Sequence, residues 1–159
     1  MEFVYKPIGI IHTPFDEIVG IPIQPSAAHG VCGQVEVFGQ YVEGLQDLAG
    51  FSHIYLLYHF HRAKQYRLKV VPFLDTQLRG LFATRAPRRP NSIGLSVVRL
   101  IEVDESSLQV ENVDMLNGTP LLDIKPYVPD FYDCEDLRIG WLEKARAEMR
   151  SKRSDERFE

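Results

Sequence analysis

The sequence predicts a mainly β protein, a single-domain closed or nearly closed β-barrel with a short helix and a C-terminal helix. Short runs of alternating apolar residues recur along most of the chain, and no strand-helix unit repeats. The length of 159 residues and the 45% hydrophobic content suit one core rather than two. We expect a barrel domain over residues 1–135, with a C-terminal helix and frayed tail over 136–159 belonging to the same domain.

Eight segments have the composition and period of β-strands. The clearest has Val31, Gly33, Val35 and Val37 on one parity, which is the period of two of a strand with one buried face. A polar stretch at 104–107 predicts a hairpin turn, and Asn117-Gly118 predicts a second turn. The predicted strands are 4–11, 31–38, 52–60, 66–71, 79–83, 93–103, 108–115 and 121–128.

Two helices are predicted, a short one over 41–48 and a longer one over 136–152. In the second, Leu137, Trp141, Ala145 and Met149 recur every four residues, which gives an apolar stripe that can dock on the barrel. The tail 151–159 has almost no apolar content, and we expect it to fray. Residues 12–30 hold three prolines and no regular period, so they form a long loop of the kind that is often functional.

Composition excludes several classes of protein. No apolar run is long enough to span a bilayer, and the N-terminus has no signal-peptide pattern, so we expect a soluble cytoplasmic protein. Cys32 and Cys134 are too few for a disulfide framework and are expected to be reduced; a disulfide between them is the alternative. Gly-rich nucleotide motifs, the P-loop motif and the hydrolase nucleophile motif are all missing.

Charge is unevenly distributed along the chain. The segment 62–99 holds nine basic residues and one acid, Asp75, so it carries +8, while the net charge of the whole chain is −4. A cationic centre in an acidic protein can attract a polyanion to one place. The alternative is that these residues are solvated strand faces.

The strongest candidate binding segment is Arg85-Ala-Pro-Arg-Arg-Pro90, within the run 82–96. Pro87 and Pro90 restrict the backbone, so three guanidinium groups are expected to project from a stiff loop without local acids to satisfy them. Arginine forks match phosphate and carboxylate groups, and a rigid loop loses little entropy on binding. We therefore expect an anionic, nucleotide-bearing ligand here.

Two further clusters could carry chemistry. Asp123, Lys125 and Tyr127 alternate on one face of a predicted strand, where an internal Asp123–Lys125 ion pair is the alternative to a catalytic role. His59 and His61 form a His-x-His motif that can present two imidazoles to a metal, although no carboxylate or cysteine stands nearby at ligand spacing. Packed or hydrogen-bonded histidines are the more frequent outcome.

Several motifs taken together resemble the TrmO (YaeB-like) family of tRNA methyltransferases. They are Phe82-Ala-Thr-Arg85, Arg89-Pro-Asn-Ser-Ile-Gly94, Asn117-Gly-Thr-Pro120 and Asp123-Ile-Lys-Pro-Tyr127, with Gln24-Pro25, Phe51-Ser-His53 and Phe60-His61 fitting the same pattern. The resemblance implies an S-adenosylmethionine-dependent enzyme that methylates N6 of threonylcarbamoyladenosine next to the anticodon, at position 37 of tRNA. It also implies a single-domain β-barrel that dimerises, with the cofactor near the subunit interface.

The resemblance also implies which residues bind the cofactor, partly through main-chain groups. They are Pro25, Ser26, Ala27, His61, Arg62, Arg85, Leu95, Gly118, Thr119, Pro120 and Leu121. Two departures from the family pattern stand out: many bacterial relatives carry a further C-terminal domain, and Asn117 stands where an acid is common.

For the reaction, we expect Asp123 to orient or remove the N6 proton, with Tyr127 and Asn91 positioning the base. Lys125 or Arg89 is expected to face the threonyl carboxylate, and Arg88 and Arg89 to contact the tRNA anticodon stem-loop. No resident metal is expected. The alternatives are a non-catalytic RNA-binding barrel that uses exposed aromatic residues such as Tyr66, and a His-x-His metal enzyme.

Overall fold

The computed structural model describes residues 1–129, 137–145 and 148–158. Six antiparallel strands close into a barrel in the order β1-β2-β7-β6-β3-β8, and β4 and β5 form a separate two-stranded sheet. The strands are β1 Gly9–His12, β2 Cys32–Val37, β3 His53–His59, β4 Lys69–Val70, β5 Arg79–Gly80, β6 Ile93–Asp104, β7 Ser107–Glu111 and β8 Thr119–Pro126. The predicted mainly β single-domain barrel is confirmed, while the division at residue 135 stays a prediction.

The barrel interior is filled by the alternating inward residues of the strands. Ile11, Val35, Ile54, Val98 and Leu121 are all fully buried, as the period of two requires. Several strand ends differ from the sequence prediction. The predicted strands 66–71 and 79–83 shorten to Lys69–Val70 and Arg79–Gly80, and Leu81–Ala83 is a 3-10 segment. β1 begins at Gly9 rather than at residue 4, and β7 ends at Glu111 because Asn112 adopts the left-handed conformation, with φ of 73°.

Three connections of the described barrel leave from the same end. They are residues 13–31, 60–92 and 112–118, and we call this end of the barrel the mouth. The opposite end carries the 38–52 connection and the tight β6–β7 hairpin, as the polar stretch at 104–107 predicted. Long loops gathered at one end of a closed barrel can build a binding site without disturbing the core.

The helices differ from the sequence prediction. The predicted short helix is a pair of 3-10 segments, Gly39–Leu45 and Leu48–Gly50. Within the predicted 136–152 helix, the structure describes a 3-10 segment, Gly140–Ala145; residues 136, 146 and 147 lie outside the described part. Gly140 has φ of 59°, a left-handed conformation that an α-helix does not contain. No described helix is long and apolar enough to cross a membrane.

The C-terminal residues do not fray as expected but fold back toward the mouth. Phe158 is buried against Val70, Leu81 and Ala86, and its ring meets that of Phe73 edge to face at 5.0 Å between centroids. Upstream, the Ser154 hydroxyl donates to the Ile18 carbonyl at 2.6 Å. One large apolar side chain is therefore enough to fix a tail that composition alone describes as polar.

Gly94 is required because the ring of Tyr58 lies across it. The two residues face each other on β6 and β3, both directed inward, and a Cβ atom at Gly94 would overlap the Tyr58 ring. A glycine in a strand interior often marks such a close approach. The glycine therefore decides where the Tyr58 hydroxyl sits inside the barrel.

We expect Gly94→Ala to destabilise the protein by about 1–3 kcal/mol, because the added methyl group forces the Tyr58 ring out of its place. Urea unfolding measures this difference. The matched control is Gly44→Ala, since a Cβ atom there meets no atom within 4 Å and its cost should be under about 0.5 kcal/mol. Equal stability of Gly94→Ala and the wild type would contradict this account of the Tyr58 position.

Candidate active site at the barrel mouth

A cavity of about 330 Å³ opens at the mouth of the barrel. Its walls come from the early loop (residues 13–31), the mouth ends of β3 and β6, the arginine loop (residues 85–90) and the 112–118 connection. The size suits a small organic molecule. Its polar, aromatic and apolar lining includes the side chains of Tyr58, Phe60, His61, Arg62, Arg85, Arg89, Leu95, Asp114, Met115 and Thr119.

The three guanidinium groups of the arginine loop are engaged by main-chain carbonyl oxygens. Arg85 donates to the Leu95 carbonyl, and Arg88 donates to the Phe158 carbonyl at 3.3 Å. Arg89 donates to the carbonyls of Thr84 at 3.1 Å and Ala86 at 3.4 Å. The prediction that these guanidinium groups project from the loop is therefore wrong, because their N–H groups bind main-chain carbonyl oxygens.

The carbonyl contacts of Arg85 and Arg89 leave the positive charge of both guanidinium groups in place. A carbonyl oxygen satisfies a guanidinium donor but carries no net charge, unlike a carboxylate. Arg89 also lies over the ring of Phe82, 5.7 Å from its centroid, and that ring is largely exposed. The mouth thus combines a fixed backbone with the positive charges of Arg85 and Arg89.

A buried polar chain leads from the barrel interior to the cavity. The Ser96 hydroxyl donates to Oδ1 of Asp114 at 2.6 Å, and the Tyr58 hydroxyl lies 3.1 Å from Ser96 Oγ. Since the Ser96 proton is committed to the carboxylate, Tyr58 is the donor in the second bond. Ser96 and Tyr58 are almost completely buried, at 1% and 3% exposure.

The register of the sheet explains how Asp114 reaches Ser96. Glu111, the last residue of β7, pairs with Arg99, so the first half of β6 has β3 as its strand neighbour on one side only. The 112–118 connection follows β7 directly, and its Asp114 hydrogen bonds to Ser96 in that half of β6. The carboxylate therefore sits where a strand would otherwise continue the barrel wall.

The electrostatic environment perturbs three groups at the mouth. Burial raises the pKa of Asp114 to about 6, while the Ser96 hydrogen bond and the Arg85 charge act in the opposite direction. Burial first, and the Asp114 charge second, raise the pKa of Tyr58 well above its ordinary value. Desolvation and the neighbouring Arg62 charge lower the pKa of His61, which favours neutral imidazole.

Five of the predicted cofactor residues line this cavity. The lining ones are His61, Arg62, Arg85, Leu95 and Thr119. Gly118 precedes β8 at the mouth, with φ of 73°, as the predicted turn requires. Among the described side chains, those of Ser26, Ala27, Pro120 and Leu121, together with Gly118, are not part of the cavity lining; the side chain of Pro25 lies outside the described part.

Two of the predicted catalytic residues form an ion pair. Lys125 Nζ lies 2.8 Å from Asp123 Oδ2, so the ion pair that the sequence left as an alternative is present. Tyr127 stacks edge to face on Tyr55, with 5.4 Å between centroids, and Asn91 lies in the connection before β6. None of Asp123, Lys125, Tyr127 and Asn91 belongs to the described lining of the cavity.

Sequence reasoning missed Tyr58, Ser96 and Asp114 as site residues. Their signal was present, because Tyr58 and Ser96 share the inward parity of their strands with apolar neighbours. Within the described ranges 1–129, 137–145 and 148–158, no group of three or more His, Cys, Asp or Glu residues could hold a metal ion. Cys32 is an exposed free thiol, and Cys134 lies outside those ranges.

Comparison with known proteins gives one consistent family. Residues 10–134 match the tRNA-methyltransferase O N-terminal domain. A probable S-adenosyl-L-methionine-binding protein of Pyrococcus abyssi is 56% identical over 97% of this chain and 84% of its own length. A mouse tRNA (adenine(37)-N6)-methyltransferase is 37% identical over 84% of this chain and 33% of its own.

A solved structure agrees with the sequence comparisons. The crystal structure of TrmO from Pseudomonas aeruginosa has a TM-score of 0.74 and 40% identity to this chain. The match covers 89% of this chain and 63% of that one, so this chain spans under two thirds of the solved protein.

The buried Asp114 carboxylate should cost stability at neutral pH. Between about pH 4 and 6 the folded protein keeps a proton that the unfolded chain has lost, so stability falls as pH rises through this window. We expect Asp114→Asn to be more stable than the wild type by about 1–3 kcal/mol near pH 8, with the difference closing as pH falls to about 4.

Urea unfolding at several pH values measures the difference. The control Asp104→Asn changes an exposed carboxylate at the opposite end of the barrel and should show no comparable pH-dependent gain. A difference between Asp114→Asn and the wild type that does not vary with pH would contradict the burial of this charge.

Proposed function

The chain belongs to the tRNA-methyltransferase O family, and from this premise we propose that it transfers a methyl group from S-adenosylmethionine to N6 of an adenosine in tRNA. The observation that carries the proposal is the mouth cavity, whose described lining combines Arg62, Arg85 and Arg89 with a single carboxylate, that of Asp114. Such a cavity can hold a zwitterionic small molecule beside a polyanion.

The residues of the mouth fit the cofactor. Arg62 and Arg85 offer guanidinium groups that match a carboxylate, and Leu95 and Met115 offer apolar surface. The ring of Phe60 also lines the cavity, and aromatic faces attract cations such as a sulfonium. When bound, S-adenosylmethionine supplies an electrophilic methyl group. The protein residues hold the reactants in line and exclude water.

We further propose threonylcarbamoyladenosine at position 37, next to the anticodon, as the acceptor. The resemblance to the family motifs suggests this substrate, and the charge of the mouth supports it. Arg89 lines the cavity and can face the threonyl carboxylate, while Tyr66 and Phe82, at 58% and 74% exposure, offer rings on which unstacked bases can lie. Arg88, beside Arg89, is a proposed phosphate contact.

The catalytic roles of Asp123, Lys125, Tyr127 and Asn91 stay predictions. Asp123 on β8 is the strand partner of Leu57 on β3. Leu57 is in turn the strand partner of Leu95 on β6, which lines the cavity. A role for Asp123 therefore requires the acceptor to reach from the mouth over the outer face of these strands.

We also propose a cytoplasmic homodimer with the cofactor near the subunit interface. The support is that Ile93 and Leu95, two apolar residues that line the cavity, are 40% and 42% exposed on the outer face of β6. Exposed apolar groups beside a binding site are typical of interfaces. Sedimentation of the purified chain tests the oligomeric state, and a monomer at high concentration would contradict it.

The proposed activity is tested with purified protein, methyl-labelled S-adenosylmethionine and an anticodon stem-loop that carries threonylcarbamoyladenosine at position 37. We expect label in an N6-methylated nucleoside, identified by mass spectrometry after digestion. The control RNA has guanosine at position 37 and should take up no label. Binding of RNA without cofactor binding or methyl transfer would favour the RNA-binding barrel and contradict the enzyme.

A second experiment tests the arginine loop. If Arg88 and Arg89 contact phosphates, Arg88→Ala combined with Arg89→Ala should weaken tRNA binding and reduce the slope of log affinity against log salt by about 1.4–1.8. The matched control replaces both arginines by lysine, which keeps two positive charges and should retain the slope. An unchanged slope in the double alanine variant would remove both residues from the phosphate contacts.

A further inference from the structure

Asp114 stands out among the charged groups of the mouth cavity. Of the described lining residues it alone has a carboxylate, whereas Arg62, Arg85 and Arg89 carry positive charge. Asp123 forms a salt bridge with Lys125, but no salt bridge among the described residues involves Asp114. An acidic group held in a cationic cavity without an ion-pair partner is unusual unless it meets a ligand.

The Asp114 carboxylate is oriented by residues of the barrel strands. Ser96 donates to Oδ1 from inside the core, and Tyr58 donates to Ser96 in turn. Gly94 leaves the space in which the Tyr58 ring lies. Within the described residues, the Ser96 bond is the only side-chain hydrogen bond to this carboxylate, so it retains lone pairs for a donor in the cavity.

The acceptor presents such a donor. In an adenosine whose N6 atom is attached to a carbonyl, the lone pair of that nitrogen is delocalised, and its N–H is more acidic than that of an ordinary adenine amine. Methylation then needs a group that takes the proton as the new bond forms. A carboxylate is suited to this work when its pKa lies close to the working pH.

Resting on the function proposed above, we propose that Asp114 is the catalytic base of methyl transfer, with Ser96 and Tyr58 as the positioning residues that hold it. The N6 atom forms its bond to the methyl carbon while the carbon–sulfur bond of the sulfonium breaks, and the electron pair of that bond stays on sulfur. The N6 proton passes to the Asp114 carboxylate. The products are the N6-methylated nucleoside, a neutral thioether and a protonated carboxyl group.

The electrostatic environment is consistent with this role. Burial raises the pKa of Asp114 to about 6, the Arg85 charge opposes that rise, and the phenol of Tyr58 stays neutral because its own pKa is raised. The charged groups that line the cavity with Asp114 are Arg62, Arg85 and Arg89, together with the titratable His61 and Tyr58. The carboxylate is therefore ionised at neutral pH, yet close enough to its pKa to accept a proton.

The decisive measurement is the single-turnover rate of methyl transfer with saturating cofactor and RNA, as a function of pH. The wild-type rate should rise about tenfold per pH unit below about pH 6 and level off above it. Asp114→Asn should lose about 10²- to 10⁴-fold in rate and lose this acidic limb. Calorimetry should show cofactor affinity within about threefold of the wild type, which separates catalysis from binding.

The positioning residues have a distinct readout. The Ser96 hydrogen bond lowers the pKa of Asp114, so in Ser96→Ala the break in the pH profile should move to higher pH, and the rate should fall about tenfold. Carbon-13 NMR of the Asp114 carboxyl, in protein without cofactor, should show the same displacement from a wild-type midpoint near pH 6. A merely structural role for Ser96 would leave both midpoints unchanged.

The outcomes separate this inference from the proposed function. Asp104→Asn is the matched control and should behave as the wild type. If the wild type transfers methyl groups and the Asp114→Asn rate lies within about threefold of the wild-type rate, the base role of Asp114 is overturned while the proposed function stands. A large rate loss in Asp123→Asn would then assign the base to Asp123. A wild type without transfer would overturn both proposals. If Asp114→Asn does not fold, an unmoved break in Ser96→Ala overturns the proposal.

Discussion

The mouth of this barrel depends on guanidinium donors that bind main-chain carbonyl oxygens instead of carboxylates. Arg85 joins the arginine loop to the start of β6, and Arg89 closes the loop on itself. Carboxylate partners would have fixed the loop equally well but cancelled its charge. Because carbonyls are neutral, the loop is rigid and remains strongly cationic, which is what a site beside a polyanion requires.

The same end of the barrel also carries a negatively charged group, the carboxylate of Asp114. β7 ends at Glu111, and the connection after it places Asp114 against the first half of β6, which pairs with β3 only. Ser96 and Tyr58 hold the carboxylate there from within the core. The cavity thus has cationic walls set by loops and one acidic group set by the barrel.

The sequence predicted the barrel well because strands with one buried face leave a period of two, as in β2 and β6. The resemblance to the family motifs placed Arg85 and Leu95 among the expected cofactor residues, and both line the mouth cavity. The sequence did not predict Asp114, because the role of that residue depends on where β7 ends and on a partner in another strand. Phe158 was missed for a related reason, since one apolar residue in a polar tail has no local pattern.

The most direct test of the central claim is a crystal structure of the protein with S-adenosylhomocysteine and an anticodon stem-loop carrying threonylcarbamoyladenosine. The account predicts the thioether in the mouth cavity and the N6 atom within hydrogen-bond distance of the Asp114 carboxylate. An N6 atom placed at Asp123 on the outer face of the barrel, with Asp114 facing only protein, would contradict it.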